Sequence, residues 1–121
     1  MPRFVILEHT GIPNDPCGRH YDLLIEDGDI CQTWRLGHLP VVGAAPQLAV
    51  SLPPHRLAWL DRSSAEVSGG RGYARRVLKG QFSTLLPLKT GHLLRLHLSG
   101  PDLDGILTID GDKLQILPLA L

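Results

Sequence analysis

The sequence predicts an all-β fold, a compact single-domain β-barrel of short antiparallel strands with little helix, and one domain covering residues 1–121. Short apolar runs alternate with turn residues, and no window of about 12 residues carries the 3.6-residue repeat of a helix. Asp27-Gly28 and Asp110-Gly111 each lie between apolar runs. They predict tight hairpins, because glycine tolerates the positive φ of such turns. Many short strands separated by turns favour a small barrel or a sandwich.

Nine strands are expected in chain order, and each is bounded by Gly, Pro or polar turn residues. The first two contain the apolar runs 4–7 and 23–25, and the third and the last each follow an Asp-Gly turn. The clearest alternation of apolar and polar residues is at 94–98. Two poor strand formers, 10–19 and 37–46, are read as loops. The predicted strands are 3–9, 20–26, 30–36, 47–51, 56–60, 72–78, 92–98, 104–109 and 113–118.

The composition describes an ordinary globular protein rather than a nucleic-acid coat protein. Hydrophobic residues make up 43% of the chain, while aromatics make up only 5%, so the core must be built from Leu, Val and Ile. Lys+Arg and Asp+Glu number 12 each. A net charge of zero excludes a broad electrostatic grip on nucleic acid but leaves room for a local basic patch.

The cysteines and the N-terminal residues predict a reduced, cytoplasmic protein that does not contact a membrane. Cys17 and Cys31 have no CxxC spacing and make no disulfide framework, so both are expected to be packed thiols. The run near the N-terminus already contains Glu8 and does not resemble a signal peptide. No stretch approaches the ~20 apolar residues of a membrane span.

Three potential metal ligands lie on the first two predicted strands. His9 ends the first strand, and His20 and Asp22 share one face of the second because side chains alternate along a strand. Two imidazoles and one carboxylate leave coordination positions open for water or substrate, as catalytic metal centres require. A metal site therefore forms if the fold brings His9 beside the other two.

A second group of residues has chemical potential but a weaker pattern. His55 follows two prolines, and its spacing alone favours a structural role. The turn at 69–72 contains three glycines and Arg71, and such turns can present backbone N–H groups to an anion. It lacks the ending of a phosphate-binding P-loop, so a hairpin or bulge is the simpler interpretation.

Taken together, these motifs resemble the 3′-phosphoesterase domain of bacterial DNA ligase D. The resemblance runs from about Phe4 to Leu117, with the motifs in the same order. Its specificity comes from the combination, since no single piece is distinctive. The matching segments are Phe4-Val5-Ile6 with His9, His20-Tyr21-Asp22-Leu23, His55-x-Leu57 and Ser68-Gly69-Gly70-x-Gly72.

The resemblance implies a compact β-barrel with a Mn²⁺-dependent site, Zn²⁺ or Co²⁺ being alternatives. The family removes a terminal 3′ ribonucleoside and then a 3′ phosphate from DNA ends in bacterial end joining. The implied metal ligands are His9, His20 and Asp22, and the implied additional catalytic residue is His55. The implied partners are DNA 3′ ends on a primer–template and a separate ligase or polymerase for any joining step. Candidate contacts to phosphate or DNA are Arg71, Arg19, Arg56 and Trp59.

The chain departs from the family pattern at three side chains that hold the phosphate there. Leu24 replaces an arginine two residues after the metal-binding Asp, Gln47 replaces an arginine eight residues before His55, and Trp59 replaces a tyrosine four residues after it. The loop between the first two histidines is also longer than the family's usual spacing. Loss of an arginine clamp typically costs on the order of 10²–10³ in rate.

Three functional hypotheses follow from this comparison. The first is a metal-dependent phosphoesterase of the 3′-end-healing type. The second is a non-catalytic module on the same fold that binds DNA ends or a repair protein, which the three departures and the zero net charge favour. The third is a cupin-like metal protein acting on a small anionic molecule, because two histidines and an aspartate on a barrel are not unique to phosphate chemistry.

Overall fold

A computed structural model describes residues 1–13, 18–86, 88 and 93–119. Nearly all of its regular structure is β, with a single short 3₁₀ helix at Leu57–Leu60 in the described ranges. The strands are β1 Arg3–Thr10, β2 Arg19–Asp27, β3 Ile30–Leu36, β4 Gln47–Arg56, β5 Ser64–Glu66, β6 Tyr73–Thr84, β7 Leu94–Ser99, β8 Gly105–Asp110 and β9 Lys113–Leu117. The predicted all-β class is confirmed.

The strands form one antiparallel sheet that closes on itself. Its order is β1-β2-β3-β4-β9-β8-β7-β6, and β6 pairs back onto β1. One edge of β6 pairs with two strands: its first residues pair with β5, and its last residues pair with β7. The seam between β4 and β9 is the shortest, with only Gln47 and Leu48 in register. This ring-like closure gives the sheet an inner and an outer face.

The inner face carries the main core. Alternate residues of each strand point inward, so β1 contributes Phe4 and Ile6 while β2 contributes Leu23 and Ile25. As the low aromatic content predicts, most of the core is aliphatic. Its other buried members are Tyr21, Leu36, Ala49, Phe82, Leu94, Leu96, Leu98, Leu103, Leu107, Ile109, Leu114 and Ile116.

A second, smaller core lies on the outer face of β1, β2, β3 and β6, under a cover formed by residues 57–72. Leu60 of the 3₁₀ helix is buried in it, and Trp59 packs against it. Arg3 donates a hydrogen bond to Asp61 (2.7 Å), and Arg76 donates one to the Leu60 carbonyl (3.0 Å). These bonds hold the cover against the sheet. The buried members of this outer cluster are Val5, Leu7, Leu24, Cys31, Leu60 and Ala74.

Both predicted Asp-Gly hairpins are confirmed. Asp27 pairs with Ile30 and Asp110 pairs with Lys113, so each loop has two residues. Gly28 and Gly111 have φ values of 65° and 63°, in the left-handed region that glycine adopts without strain.

The predicted strand at 56–60 is wrong, because β4 continues through two prolines and the chain then turns into the 3₁₀ helix. Proline cannot donate a ladder hydrogen bond, and here Pro53 and Pro54 fall where the β3–β4 register shifts opposite Gln32. Strand β5 has no counterpart in the prediction, and β6 runs on to Thr84. Part of the predicted strand 92–98 lies outside the described residues, within which β7 begins at Leu94.

The structure describes one of the two cysteines and gives a limited result on membrane-spanning helices. Cys31 is a fully buried free thiol, as expected, whereas Cys17 lies outside the described residues. Within the described ranges no helix has the length and apolar character needed to cross a membrane.

Candidate metal centre

The strand register brings the three predicted ligands together on the outer face. His9 of β1 lies directly opposite His20 of β2, and Asp22 follows two residues along the same face. The imidazole rings are 4.9 Å apart at an angle of 75°. The three side chains form the one group of potential metal ligands in the described part of the chain, with all ligand atoms within 4.8 Å of one another. We call His9, His20 and Asp22 the triad.

The triad has the donor set and the spacing of a metal site. The Asp22 carboxylate lies 3.6 Å from His9 Nδ1 and 3.6 Å from His20 Nε2, beyond hydrogen-bond range. A metal with bonds of 2.1 Å in tetrahedral geometry separates its ligands by roughly 3.4 Å. The residues are only 9%, 7% and 4% exposed. Burial of a carboxylate with two imidazoles at this spacing fits a divalent cation.

A backbone carbonyl fixes the orientation of His9. The Nε2–H of His9 donates a hydrogen bond of 2.7 Å to the carbonyl of Arg71. In the neutral ring this leaves the lone pair on Nδ1, the nitrogen that faces Asp22. Metal-binding histidines commonly donate their second N–H to a carbonyl in this way, which raises their basicity as ligands.

The glycine-rich turn places that carbonyl over His9. Gly72 has a φ of 93°, and a Cβ at this position would lie 2.1 Å from the carbonyl oxygen of Thr10. Only glycine therefore allows the turn to pass so close to the end of β1. The carbonyl of Gly72 accepts a hydrogen bond of 2.8 Å from Val67, which closes the turn.

Arg35 approaches the triad although it is absent from the candidates chosen from the sequence. It lies opposite Asp22 in the β2–β3 register, and its Nε is 3.6 Å from Asp22 Oδ1. The two-residue hairpin at 28–29 could have identified it, because pairing Asp27 with Ile30 also pairs Asp22 with Arg35. A positive group therefore borders the triad on the side of β3.

Leu24, at the position where the ligase D domain carries an arginine, is part of an apolar surface in this protein. Leu24 follows Asp22 on the outer face and is completely buried in the outer cluster with Leu60 and Cys31. Burial raises the pKa of the Cys31 thiol to about 11, and the negative charge of Glu26 adds to the shift. The surface beside Asp22 is therefore apolar at Leu24.

His55 lies on the same outer face as the triad but further along the strands. It pairs with Cys31, four residues from Arg35 along β3, a separation of roughly 13 Å at the rise of a β-strand. Its Nδ1–H donates to the Pro53 carbonyl at 3.1 Å. The structure does not place His55 among the triad, and its catalytic role stays a prediction.

The other candidate contacts to phosphate are engaged elsewhere. Arg71 folds back on its own turn, donating to the carbonyl and hydroxyl of Ser68 at 2.7 and 2.9 Å. The guanidinium of Arg19 lies 5.8 Å from the ring of Tyr21, and its Nη1 is 3.6 Å from Glu8 Oε2. Tyr21 points into the main core, so Arg19 is on the opposite face of β2 from His20.

The remaining departures from the family pattern also have local structural roles. Gln47 bridges to His38, accepting from its backbone N–H (3.1 Å) and donating to its carbonyl (2.9 Å). Trp59 is half-buried in the cover, and the guanidinium of Arg62 lies 4.9 Å from its ring. Arg56, the last of the candidate contacts to phosphate, is exposed at the end of β4.

No protein-family model and no curated protein sequence matches the chain.

Proposed function

We propose that the protein holds a divalent metal ion at His9, His20 and Asp22 and hydrolyses phosphate esters at nucleic-acid 3′ ends. The observation that carries the proposal is the buried triad, whose ligand atoms lie within 4.8 Å of one another. The orientation of His9 by the Arg71 carbonyl supports it, since metal-binding histidines are commonly held in this way. The reaction class comes from the ligase D resemblance.

Each residue at the triad has a separate role in the proposed reaction. When bound, a divalent metal would polarise a phosphoryl oxygen and lower the pKa of a bound water, which makes that water a nucleophile near neutral pH. His9 and His20 offer neutral nitrogens and Asp22 offers the charged oxygen. Arg35 supplies positive charge at the edge of the triad, where negative charge develops on the phosphoryl oxygens. Leu24 borders the triad with an apolar, buried side chain on one side.

A trimming assay tests the proposal. The protein is incubated with Mn²⁺ and a primer–template that ends in a 3′ phosphate or a 3′ ribonucleotide. We expect a product with a free 3′ hydroxyl, and no product from His9→Ala, which removes one ligand. His97→Ala is the matched control, because His97 lies on β7, which pairs with neither β1 nor β2. Trimming that survives His9→Ala would contradict the proposal.

A non-catalytic module that binds DNA ends is the second candidate. The observation that favours it is the complete burial of Leu24, which leaves no phosphate-binding arginine at the family's position. This module would bind Mn²⁺ and the primer–template without trimming it. Metal binding without affinity for DNA would instead favour the cupin-like alternative, a small anionic substrate.

A further inference from the structure

We propose that Arg35 binds the substrate's phosphate group at the triad and makes the site selective for phosphate monoesters over diesters. The inference rests on the proposed function and adds a residue and a substrate class to it. For a nucleic acid, it makes a terminal 3′ phosphate the preferred substrate group.

The Arg35 side chain is divided between a buried and an accessible part. Its Nε is buried and has no hydrogen-bond acceptor within the described residues, yet it lies 3.6 Å from Asp22 Oδ1. The side chain as a whole is 41% exposed, so the terminal nitrogens reach solvent. The separation of 3.6 Å exceeds the roughly 2.8 Å of a charge-assisted hydrogen bond, so Asp22 does not occupy this donor. The observed position leaves the planar donor fork available to an anion beside the triad.

The charges around the triad favour a dianion. Asp22 contributes one negative charge, Arg35 one positive charge and the two histidines none when they act as neutral ligands. With a divalent cation bound, the local charge is two positive. A phosphate monoester, which loses its second proton with a pKa of about 6, balances that charge, whereas a diester balances only half of it.

The cross-strand neighbours of Asp22 and Arg35 offer no second cation. Leu24 and Thr33, the next outward pair on β2 and β3, are buried and uncharged. On the β4 side, Arg35 pairs with Val50, which is apolar. Among these cross-strand neighbours of Asp22, Arg35 alone can donate a forked pair of hydrogen bonds to a phosphate.

The test measures anion binding directly, apart from turnover. Methyl phosphate and dimethyl phosphate are titrated into Mn²⁺-loaded protein by calorimetry at about pH 8, above the second pKa of a monoester. The wild type should bind methyl phosphate more tightly. Arg35→Gln should weaken methyl phosphate by about tenfold to hundredfold, reduce the preference over dimethyl phosphate and leave Mn²⁺ affinity unchanged.

Two further variants separate the phosphate contact from effects on the fold. Arg35→Lys keeps the charge but loses the fork, so its affinity for methyl phosphate should fall between those of the wild type and Arg35→Gln. Arg95→Gln removes an exposed arginine from β7, four strands away in either direction around the ring, and should change nothing.

The outcomes distinguish this inference from the proposed function. If Arg35→Gln binds methyl phosphate as tightly as the wild type while the wild type trims 3′ ends, Arg35 is not the phosphate contact and the function stands. If Arg35→Gln loses Mn²⁺ affinity to the same extent as phosphate affinity, the residue positions Asp22 and the inference is overturned. If the wild type does not bind Mn²⁺, the proposed function fails and the inference fails with it.

Discussion

Gly72 is the residue on which the orientation of His9 depends, and Gly72→Ala tests that dependence. An alanine Cβ would lie 2.1 Å from the Thr10 carbonyl oxygen and 2.9 Å from the Gly11 carbonyl carbon. Both contacts are with backbone, so the turn itself must move away from β1. Because Arg71 directly precedes Gly72, that movement breaks the 2.7 Å hydrogen bond to His9 Nε2.

The same turn contains a matched control at Gly70. Gly70 has a φ of 69°, but a Cβ there would meet nothing within 4 Å. Gly70→Ala therefore measures the strain of a left-handed alanine alone, about 1–2 kcal/mol. Gly72→Ala adds the collision with Thr10 to that strain, and loss of the carbonyl partner should lower metal affinity about 10- to 100-fold.

Urea unfolding and Co²⁺ titration by calorimetry measure these two effects separately. We expect Gly70→Ala to lose stability but keep its metal affinity, and Gly72→Ala to lose both. Titrations are performed where circular dichroism shows each variant to be folded. Equal metal affinity in Gly72→Ala, Gly70→Ala and the wild type would refute the role assigned to the Arg71 carbonyl.

Three further predictions concern the surroundings of the triad. The pKa of Cys31 is about 11 in the folded state and has an ordinary value of 9.0 in the unfolded chain, so between these values the folded thiol keeps a proton that the unfolded thiol loses. The free energy of unfolding should therefore fall as the pH rises from 9 to 11. Urea titrations of Cys31→Ala should show that this slope has been removed. Gln47→Ala breaks two hydrogen bonds to His38 and should cost about 1 kcal/mol in thermal unfolding without changing metal affinity; a large loss of metal affinity would mean that Gln47 belongs to the site. Leu24→Ala opens a cavity in the outer cluster and should lower the free energy of unfolding by about 2–5 kcal/mol in chemical unfolding. A near-neutral effect would contradict the close packing of Leu24 beside Asp22.

The alternation of side chains along a strand was enough to predict from the sequence that His20 and Asp22 lie on one face. His20 and Asp22 share a face wherever 20–26 is a strand, and β2 confirms that strand. The pairing of His9 with His20 was not predictable in the same way. The connection between them is not a two-residue turn, so its length does not fix the register.

The errors have two physical origins. Pro53 and Pro54 suggested the end of a strand, but a register shift opposite Gln32 accommodates them within β4. Arg35 was overlooked because its importance comes from pairing across a hairpin rather than from any motif. The register implied by Asp27-Gly28 contains that information, because a two-residue turn that pairs Asp27 with Ile30 also pairs Asp22 with Arg35.

The most direct test of the central claim is the stoichiometry of Mn²⁺ binding to the wild type and to Asp22→Asn, measured by calorimetry at neutral pH. We predict one ion per wild-type chain and an affinity more than about a hundredfold lower in Asp22→Asn, because the amide cannot supply the charged oxygen ligand. Absence of saturable binding to the wild type, or equal binding by the two proteins, would contradict a metal centre at His9, His20 and Asp22.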